Sequence, residues 1–351
     1  MKLGDVLQVV NGKNQKAVKD ENGQYPIYGS GGQMGWASSY ICPADTVIIG
    51  RKGNINKPIY VSEPFWNVDT AFGLVAKPEL LDARYLYHFC KHYDFGKLNT
   101  TCTIPSLTRK NIEDILLRLP SLGGQKETAA QLDSILKQIA LAQQEIAGLD
   151  SLVKSRFVEM FGDPVDDKIW PYVTLAELCT KLGSGATPRG GKSAYKTEGI
   201  PLIRSMNVHN GRFVWKDLAY IDDDQAAKLN GVTLMKGDVL LNITGASVAR
   251  SCILPDELAG GRVNQHVSIV RVDQTKMLPV ILNAALISDS YQRFLLNDSR
   301  MAGATREAIT KEDLKNMMVP LPPLSLQQQF ANFAVRVDKS RFVRDHEMNF
   351  R

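Results

Sequence analysis

With 351 residues, a formal net charge of +5, 44% hydrophobic and 23% charged residues, the chain is long enough for two domains with ordinary cores and excludes a disordered or fibrous protein. A charge of +5 is too small to argue a polyanionic partner by itself, so any such contact would rest on local basic clusters. Five cysteines without a C-x-x-C pair argue against a disulfide framework or zinc ribbon, and no apolar run approaches a membrane span; the expected home is a reducing cytoplasm, with no membrane partner and no signal peptide at Met1 to Asp5.

A first body is expected over residues 1–120. It opens with amphipathic Leu3, Val6, Leu7 and Val10 and continues through a polar, glycine-rich stretch in which Tyr25-Pro26-Ile27-Tyr28 reads as a short strand. Thr46 to Ile49 reads as a buried strand that delivers a glycine-flanked basic loop, Arg51-Lys52-Gly53-Asn54. Ile59-Tyr60-Val61 and Ala71 to Val75 read as further strands, Ala83 to Phe95 as a helix, and Ile112 to Leu117 as a short amphipathic segment ending at Pro120. A helical spacer over 121–162 follows. Gln125 to Phe161 contains no proline and only Gly148 among its glycines, so it predicts one helix, roughly 55 Å long at about 1.5 Å per residue. Apolar residues recur at Leu132, Ile135, Ile139, Ala142, Ile146, Leu149, Val153 and Met160, broken only by Arg156: a heptad seam that requires a second helix to cover it. Gly162 and Pro164 predict its end.

A second body, 163–324, repeats the first. Leu3 to Leu7 returns as Leu175 to Cys179, Tyr25 to Ser30 as Ile200 to Ser205, Asp45 to Ile49 as Asp238 to Asn242, and Thr108 to Ile112 as Thr310 to Leu314. The spacing between copies grows along the chain and then holds, because Gln125 matches Gln327, so insertions are expected only in the second body. A second helix, 325–351, would supply Phe333, Ala334 and Val337 to the seam. Arg341 and Arg344 then stand where the first helix has Ile139 and Ala142, and this helix is expected to be shorter by about three turns.

In this order, and duplicated, several motifs resemble the specificity subunit of type I restriction-modification systems: Lys154-Ser155-Arg156-Phe157-Val158-Glu159-Met160-Phe161-Gly162-Asp163-Pro164, Leu321-Pro322-Pro323-Leu324 with Gln327-Gln328-Gln329, and Ser184-Gly185-Ala186-Thr187-Pro188 continuing to Gly199-Ile200-Pro201. The resemblance covers nearly the whole chain. It implies an α+β fold in which two similar mixed α/β target-recognition domains are separated by long helices packed as an antiparallel coiled coil. It also implies a non-catalytic, DNA-binding subunit in host defence that reads a bipartite target. Methyltransferase subunits would dock on it and supply S-adenosylmethionine; a restriction subunit using ATP and Mg could join. No cofactor or metal is expected in this chain itself.

Loops at strand ends carry the DNA-reading candidates, because side chains on base edges specify while backbone contacts position. In the first body these are Arg51, Lys52, Asn54 and Lys57, with Lys13, Asn14 and Lys16 on phosphates; in the second, Arg189, Lys192, Arg204, Asn207, His209, Thr244, Ser247, Arg250, Thr305 and Arg306. Two patterns point elsewhere. Ala186 to Ser193 fits a relaxed phosphate loop, but Lys181-Leu182-Gly183 does not read as the strand it needs, and Gly199 and Pro201 interrupt any following helix. His88 and His92 have the spacing of two metal ligands on one helical face, yet Tyr85, Tyr87, Phe89 and Tyr93 make it an aromatic packing face. No methyltransferase or nuclease motif is present. The rival to a DNA reader is a coiled-coil scaffold that gathers proteins without reading DNA.

Overall fold

The computed structural model describes residues 1–98, 106–188, 190–297 and 308–349. The chain divides into two compact units, Met1–Leu141 and Ala142–Arg351, with the division inside the long helix.

In the first unit, α1 (Leu3–Val6) runs directly into β1 (Leu7–Asn11), followed by β2 (Tyr25–Gly29), β3 (Gly32–Ala37), β4 (Thr46–Gly50), β5 (Ile59–Val61), β6 (Trp66–Asn67) and β7 (Ala71–Ala76). The main sheet has the order β1-β7-β4-β5 and is antiparallel throughout; a second sheet, β3-β2-β6, pairs β6 parallel to β2. Strand β4 is buried along its whole length because it is covered on both faces. Val47 and Ile49 face the core beneath α2 (Ala83–His92), and Ile48 faces Cys42, Val61 and Phe65. Asp82 caps α2 by accepting the amides of Arg84 and Tyr85 at 3.0 and 2.9 Å. The helix α3 (Arg109–Glu113), capped by Thr108, precedes α4 (Leu122–Phe161).

Helix α4 begins three residues before the expected start and ends at Gly162, whose φ of +78° makes the left-handed turn that glycine tolerates. Its first turns present the row Gln125, Ala129 and Asp133 to the body, spaced four residues apart; Gln125 and Ala129 are buried. The seam expected at Leu132 and Ile135 is therefore corrected here: these residues lie off that row and are 37% and 41% exposed. Asp133 instead clamps α2, accepting from Arg84 Nε at 2.9 Å and Nη2 at 2.5 Å while contacting His88 Nε2 at 2.8 Å. Thus His88 holds a carboxylate of the long helix, and no group of three or more potential ligands forms a metal site among the described residues.

The Arg84 hydrogen bond, opposed by partial burial, holds the Asp133 carboxyl below the usual carboxylate range. A depressed carboxyl contributes stability above its unfolded pKa of about 4, and that contribution is lost as pH falls through the folded value. Solvent screening keeps it near 1 kcal/mol or below, since about a third of each partner is exposed. Accordingly, Asp133→Asn should lower the urea midpoint of the wild-type protein at pH 7, and the gap should close below about pH 4. Fluorescence of Trp66, buried in the first unit, follows this transition; a gap that persists unchanged in acid would refute the clamp as its source.

The second unit repeats the plan. After β8 (Tyr172–Thr174) come α5 (Leu175–Leu178), β9 (Cys179–Ser184), β10 (Ile200–Ile203), β11 (Val208–His209), β12 (Arg212–Phe213), β13 (Ala219–Ile221), α6 (Asp223–Ala227), β14 (Val239–Asn242), β15 (Ser251–Ile253), β16 (Arg262–Val263) and β17 (Val267–Val272). Helices α7 (Pro279–Leu286), α8 (Asp289–Asn297) and α9 (Lys311–Asn316), strand β18 (Met318–Pro320) and α10 (Leu324–Asn349) complete it. The sheet β9-β17-β14-β15 has the topology of β1-β7-β4-β5, and β13-β10-β16 again contains one parallel pair. The β11–β12 hairpin and α6 are insertions, as expected for this copy.

Duplication extends to single hydrogen bonds. Leu3 N donates to Ile115 O at 2.8 Å, and Leu175 N to Met317 O at 2.9 Å; Lys77 N donates to Val6 O at 2.9 Å, and Asp273 N to Leu178 O at 2.7 Å. One expectation is corrected in passing: Lys181 to Gly183 do lie in a strand, β9, because they pair with Ile269 to Arg271 of β17. No α-helix opens at Gly191–Ala194, a single 3-10 turn, so the phosphate-loop geometry is still missing.

Within this unit α10 packs antiparallel to the second half of α4. Phe330 is fully buried, with its ring 5.7 Å from both Phe157 and Phe161, while Ser340 lies further down α4 beside Gly148, Leu149 and Leu152. Ala334 and Val337 are buried as the seam requires; Phe333, Ile146, Leu149, Val153 and Met160 are half-buried. The heptad reading missed Phe157 and Phe161, the largest buried groups on this face of α4. No described helix is long and apolar enough to cross a membrane.

Candidate nucleic-acid interface

Each unit gathers three loops at one edge of its main sheet. In the first, β1 ends at Asn11 and β4 at Gly50, and the antiparallel register sets both beside the start of β7, through Asn11↔Phe72 and Gly50↔Ala71. The loops beyond are pinned to the turn before β7: Gly12 N donates to Ala71 O, Lys13 N to Asn67 O and Arg51 N to Thr70 O. This brings Lys13, Asn14 and Lys16 to the same edge as Arg51, Lys52, Asn54 and Lys57, all of them exposed. Gly50 must be glycine here, since a Cβ would stand 2.5 Å from the Asn54 carbonyl oxygen as the loop doubles back. Buried Ile55 anchors the loop, and Asn56 ties it to Asp94 and the Phe95 amide at 2.8 Å each. Arg51 lies over the Phe72 ring at 5.8 Å. Asn14 turns its Oδ1 back to the Lys16 amide at 2.9 Å, so its carbonyl shapes the turn. None of Lys13, Lys16, Arg51, Lys52 and Lys57 forms an ion pair among the described residues, which leaves a one-sign edge able to meet phosphates.

In the second unit the equivalent edge joins the ends of β9 and β14 to the start of β17, through Ser184↔Ser268 and Asn242↔Val267. Wholly buried Asn242 organises it. Its Nδ2 donates to Ser205 O at 2.9 Å and Ser247 Oγ at 3.1 Å, tying two loops together, and Gly245 reverses the chain at φ +74°. Thr244, Ser247 and Arg250 thereby converge on an open concavity of about 500 Å³ with Ser205, Met206 and His266. The Arg250 amide donates to Ser247 O, and its guanidinium forms no ion pair among the described residues. Burial, with the charges of Arg250 and Arg212 beside it, holds the half-buried His209 below the usual imidazole range, so it stays neutral at pH 7.

Other candidates fall elsewhere. Asn207 is corrected: it is fully buried, with Nδ2 on the carbonyls of Val214 and Lys216 and Oδ1 on the Arg204 amide, so it builds the inserted hairpin instead of facing a ligand. Arg204 is half-buried, stacked 5.1 Å over Tyr195 and donating to the Asp217 carbonyl, and is committed to its own body. Lys192 sits in the short turn Gly191–Ala194. Arg189, Thr305 and Arg306 lie outside the described residues. Sequence reasoning missed Ser205, Met206, Thr187, Gln265 and His266. A usable signal existed for two of them, since the polar Asn264-Gln265-His266 interrupts apolar strands just where a third loop must reach the edge.

A family model described as Type I restriction modification DNA specificity domain matches residues 1–151 and 168–342. The Type I restriction enzyme EcoBI specificity subunit of Escherichia coli is 23% identical over 322 residues, covering 83% of this chain; the chain spans about two thirds, 66%, of that relative. The MjaVIII specificity subunit of Methanocaldococcus jannaschii is 23% identical over 364 residues, covering 96% of this chain and 85% of the relative. Among solved structures, the type I restriction-modification S subunit from M. genitalium aligns with a TM-score of 0.63 at 13% identity, over 99% of this chain and 91% of that one, a likeness of fold.

Proposed function

Because the chain belongs to the type I restriction-modification DNA specificity family, we propose that each unit reads one half of a bipartite double-stranded DNA target and that the helices set the gap between halves. In this reading the chain catalyses nothing and works in the cytoplasm. Methyltransferase subunits dock on its helices and bring S-adenosylmethionine, while a restriction subunit brings ATP and Mg. The observation that carries the reading is the duplicated sheet edge, which in one unit holds cations without an ion pair among the described residues and in the other the Thr244, Ser247 and Arg250 concavity. Recurrence of one loop position on two copies of a fold suits split-site recognition, where half-site spacing follows protein geometry.

Random-site selection with the methyltransferase partner should return a gapped two-part motif. Arg51→Ala and Arg250→Ala should then each weaken one half-site only, by roughly ten- to hundredfold for a base contact. Equal losses on random DNA would reduce both residues to nonspecific phosphate contacts, and the absence of DNA binding by the assembled complex would favour the scaffold instead.

A further inference from the structure

Among the described residues, the concavity in the second unit is lined by hydrogen-bond donors and by no carboxylate. Of the side chains around it, Arg250 can only donate, and Ser247 Oγ already accepts from Asn242 Nδ2, leaving its hydroxyl proton to the cavity. Thr244 is oriented by a relay that begins at Thr187 and Gln265 and reaches the cavity at His266. The Thr187 hydroxyl donates to Gln265 Oε1, which turns Gln265 Nε2 onto His266 Nε2 at 2.9 Å. An amide nitrogen only donates, so this arrangement assigns His266 Nε2 as the acceptor and Nδ1 as the nitrogen that carries the proton. That proton is given to Thr244 Oγ1, the partner of Nδ1. Among the described residues the Thr244 hydroxyl proton has no acceptor, and Thr244 lines the cavity.

Resting on the half-site reading above, we propose that this concavity takes a pair of hydrogen-bond acceptors, donated to by Thr244 and Arg250, with His266 and Gln265 as positioning residues that fix the polarity of Thr244. In DNA, two adjacent acceptors are offered by the guanine O6 and N7 edge in the major groove and by the oxygens of a phosphodiester. Adenine and cytosine present an amino donor on that groove edge, which the Arg250 guanidinium cannot accept. Met206, 45% exposed beside it, adds an apolar contact whose thioether is only a weak acceptor.

The test uses the full chain with its methyltransferase partner and the gapped target obtained by selection. Guanines of the second half-site are replaced one at a time by 7-deazaguanine, and phosphates one at a time by methylphosphonate. One such change should weaken binding roughly ten- to hundredfold. Thr244→Val, which keeps the shape and removes the donor, should abolish the sensitivity at that position, while discrimination at the first half-site and the unfolding midpoint stay as in wild type. His266→Phe should behave like Thr244→Val. His266→Asn should restore the sensitivity, because its amide nitrogen can stand where Nδ1 stood. A response to 7-deazaguanine identifies the source as guanine and a response to methylphosphonate identifies it as the backbone; either supports the acceptor pair. A selected motif whose sensitivities are all retained in Thr244→Val and Arg250→Gln overturns the proposal and leaves the half-site reading standing. Failure to select any motif overturns both.

Discussion

Replacing Phe330 by alanine is expected to cost about 3–5 kcal/mol, the range for truncating a buried aromatic ring. The ring is fully buried and joins three others, 5.7 Å from Phe157, 5.7 Å from Phe161 and 6.4 Å from Phe333. Those contacts are tilted or edge-on, an arrangement worth about 0.5–1.5 kcal/mol per pair beyond the area buried. The neighbouring part of the seam cannot make up the loss, because the α4–α10 contact beyond it is thin: Gly148 contributes no side chain and Ser340 a small polar one. Loss of the ring should therefore free α10 from α4 as well as weaken the core. Trp170 reports on the same place, since its indole nitrogen donates to the Phe161 carbonyl at 3.1 Å. Urea unfolding followed by Trp170 fluorescence should show the lowered midpoint, with Phe330→Leu well under half as costly because most of the volume is kept. An alanine variant with a wild-type midpoint would mean that the helical pair is held elsewhere.

How much of this was legible in the sequence follows from the range of the interactions involved. The strands at Tyr25, Thr46, Ile59 and Ala71 and the long helix are written in short apolar, β-branched or aromatic runs and in helix-forming composition, and the structure has an element of the expected type at each. Duplication was legible because matching one copy to the other requires no knowledge of contacts; it returns in bonds such as Leu3 to Ile115 and Leu175 to Met317. The seam was half legible. A heptad rule ranks Leu132 and Ile135 with Val153, but which row of a helix faces a body depends on what the body offers, and here Arg84 and His88 on α2 select Asp133. Phe157 stands beside the break at Arg156, off the heptad positions, and its burial is set by two further phenylalanines that meet it in space. The candidate interface divides in the same way. Thr244, Ser247 and Arg250 could be placed at a strand end, whereas Gln265 and His266 matter through partners 78 and 22 residues distant along the chain. Asn207 shows the opposite error, a polar loop residue whose buried role is set by the carbonyls of Val214 and Lys216.

The duplicated glutamines give the second large effect. Gln125 is 1% exposed; its Oε1 accepts the Asp82 amide at 2.9 Å, and its Nε2 donates to the Leu80 and Pro120 carbonyls at 3.0 and 2.9 Å. Gln327, fully buried, repeats this with the Leu278 amide at 2.8 Å and the carbonyls of Lys276 and Pro322 at 3.0 and 2.7 Å. In each copy one amide group satisfies three backbone groups, tying the start of a long helix to the start of the helix beneath it and to the turn before it. Removing it strands three backbone groups where each costs about 1–3 kcal/mol, so Gln327→Ala and Gln125→Ala should each cost about 3 kcal/mol or more, most of it from desolvated backbone. Gln327→Glu separates donor from acceptor. The carboxylate can still accept from Leu278 but faces two carbonyls it cannot donate to, which raises its folded pKa above the unfolded value of about 4.3. A raised carboxyl is best tolerated below its unfolded pKa and increasingly penalised as pH rises through the folded one. The Gln327→Glu variant should therefore approach wild-type stability near pH 4 and fall furthest behind at neutral pH, while Gln327→Ala keeps a pH-independent deficit. Parallel urea titrations at pH 4 and 7 decide between these outcomes. A Gln327→Glu variant as stable as wild type at both pH values, beside a deficit in Gln327→Ala, would mean that Gln327 acts by filling space, not by donating to Lys276 and Pro322.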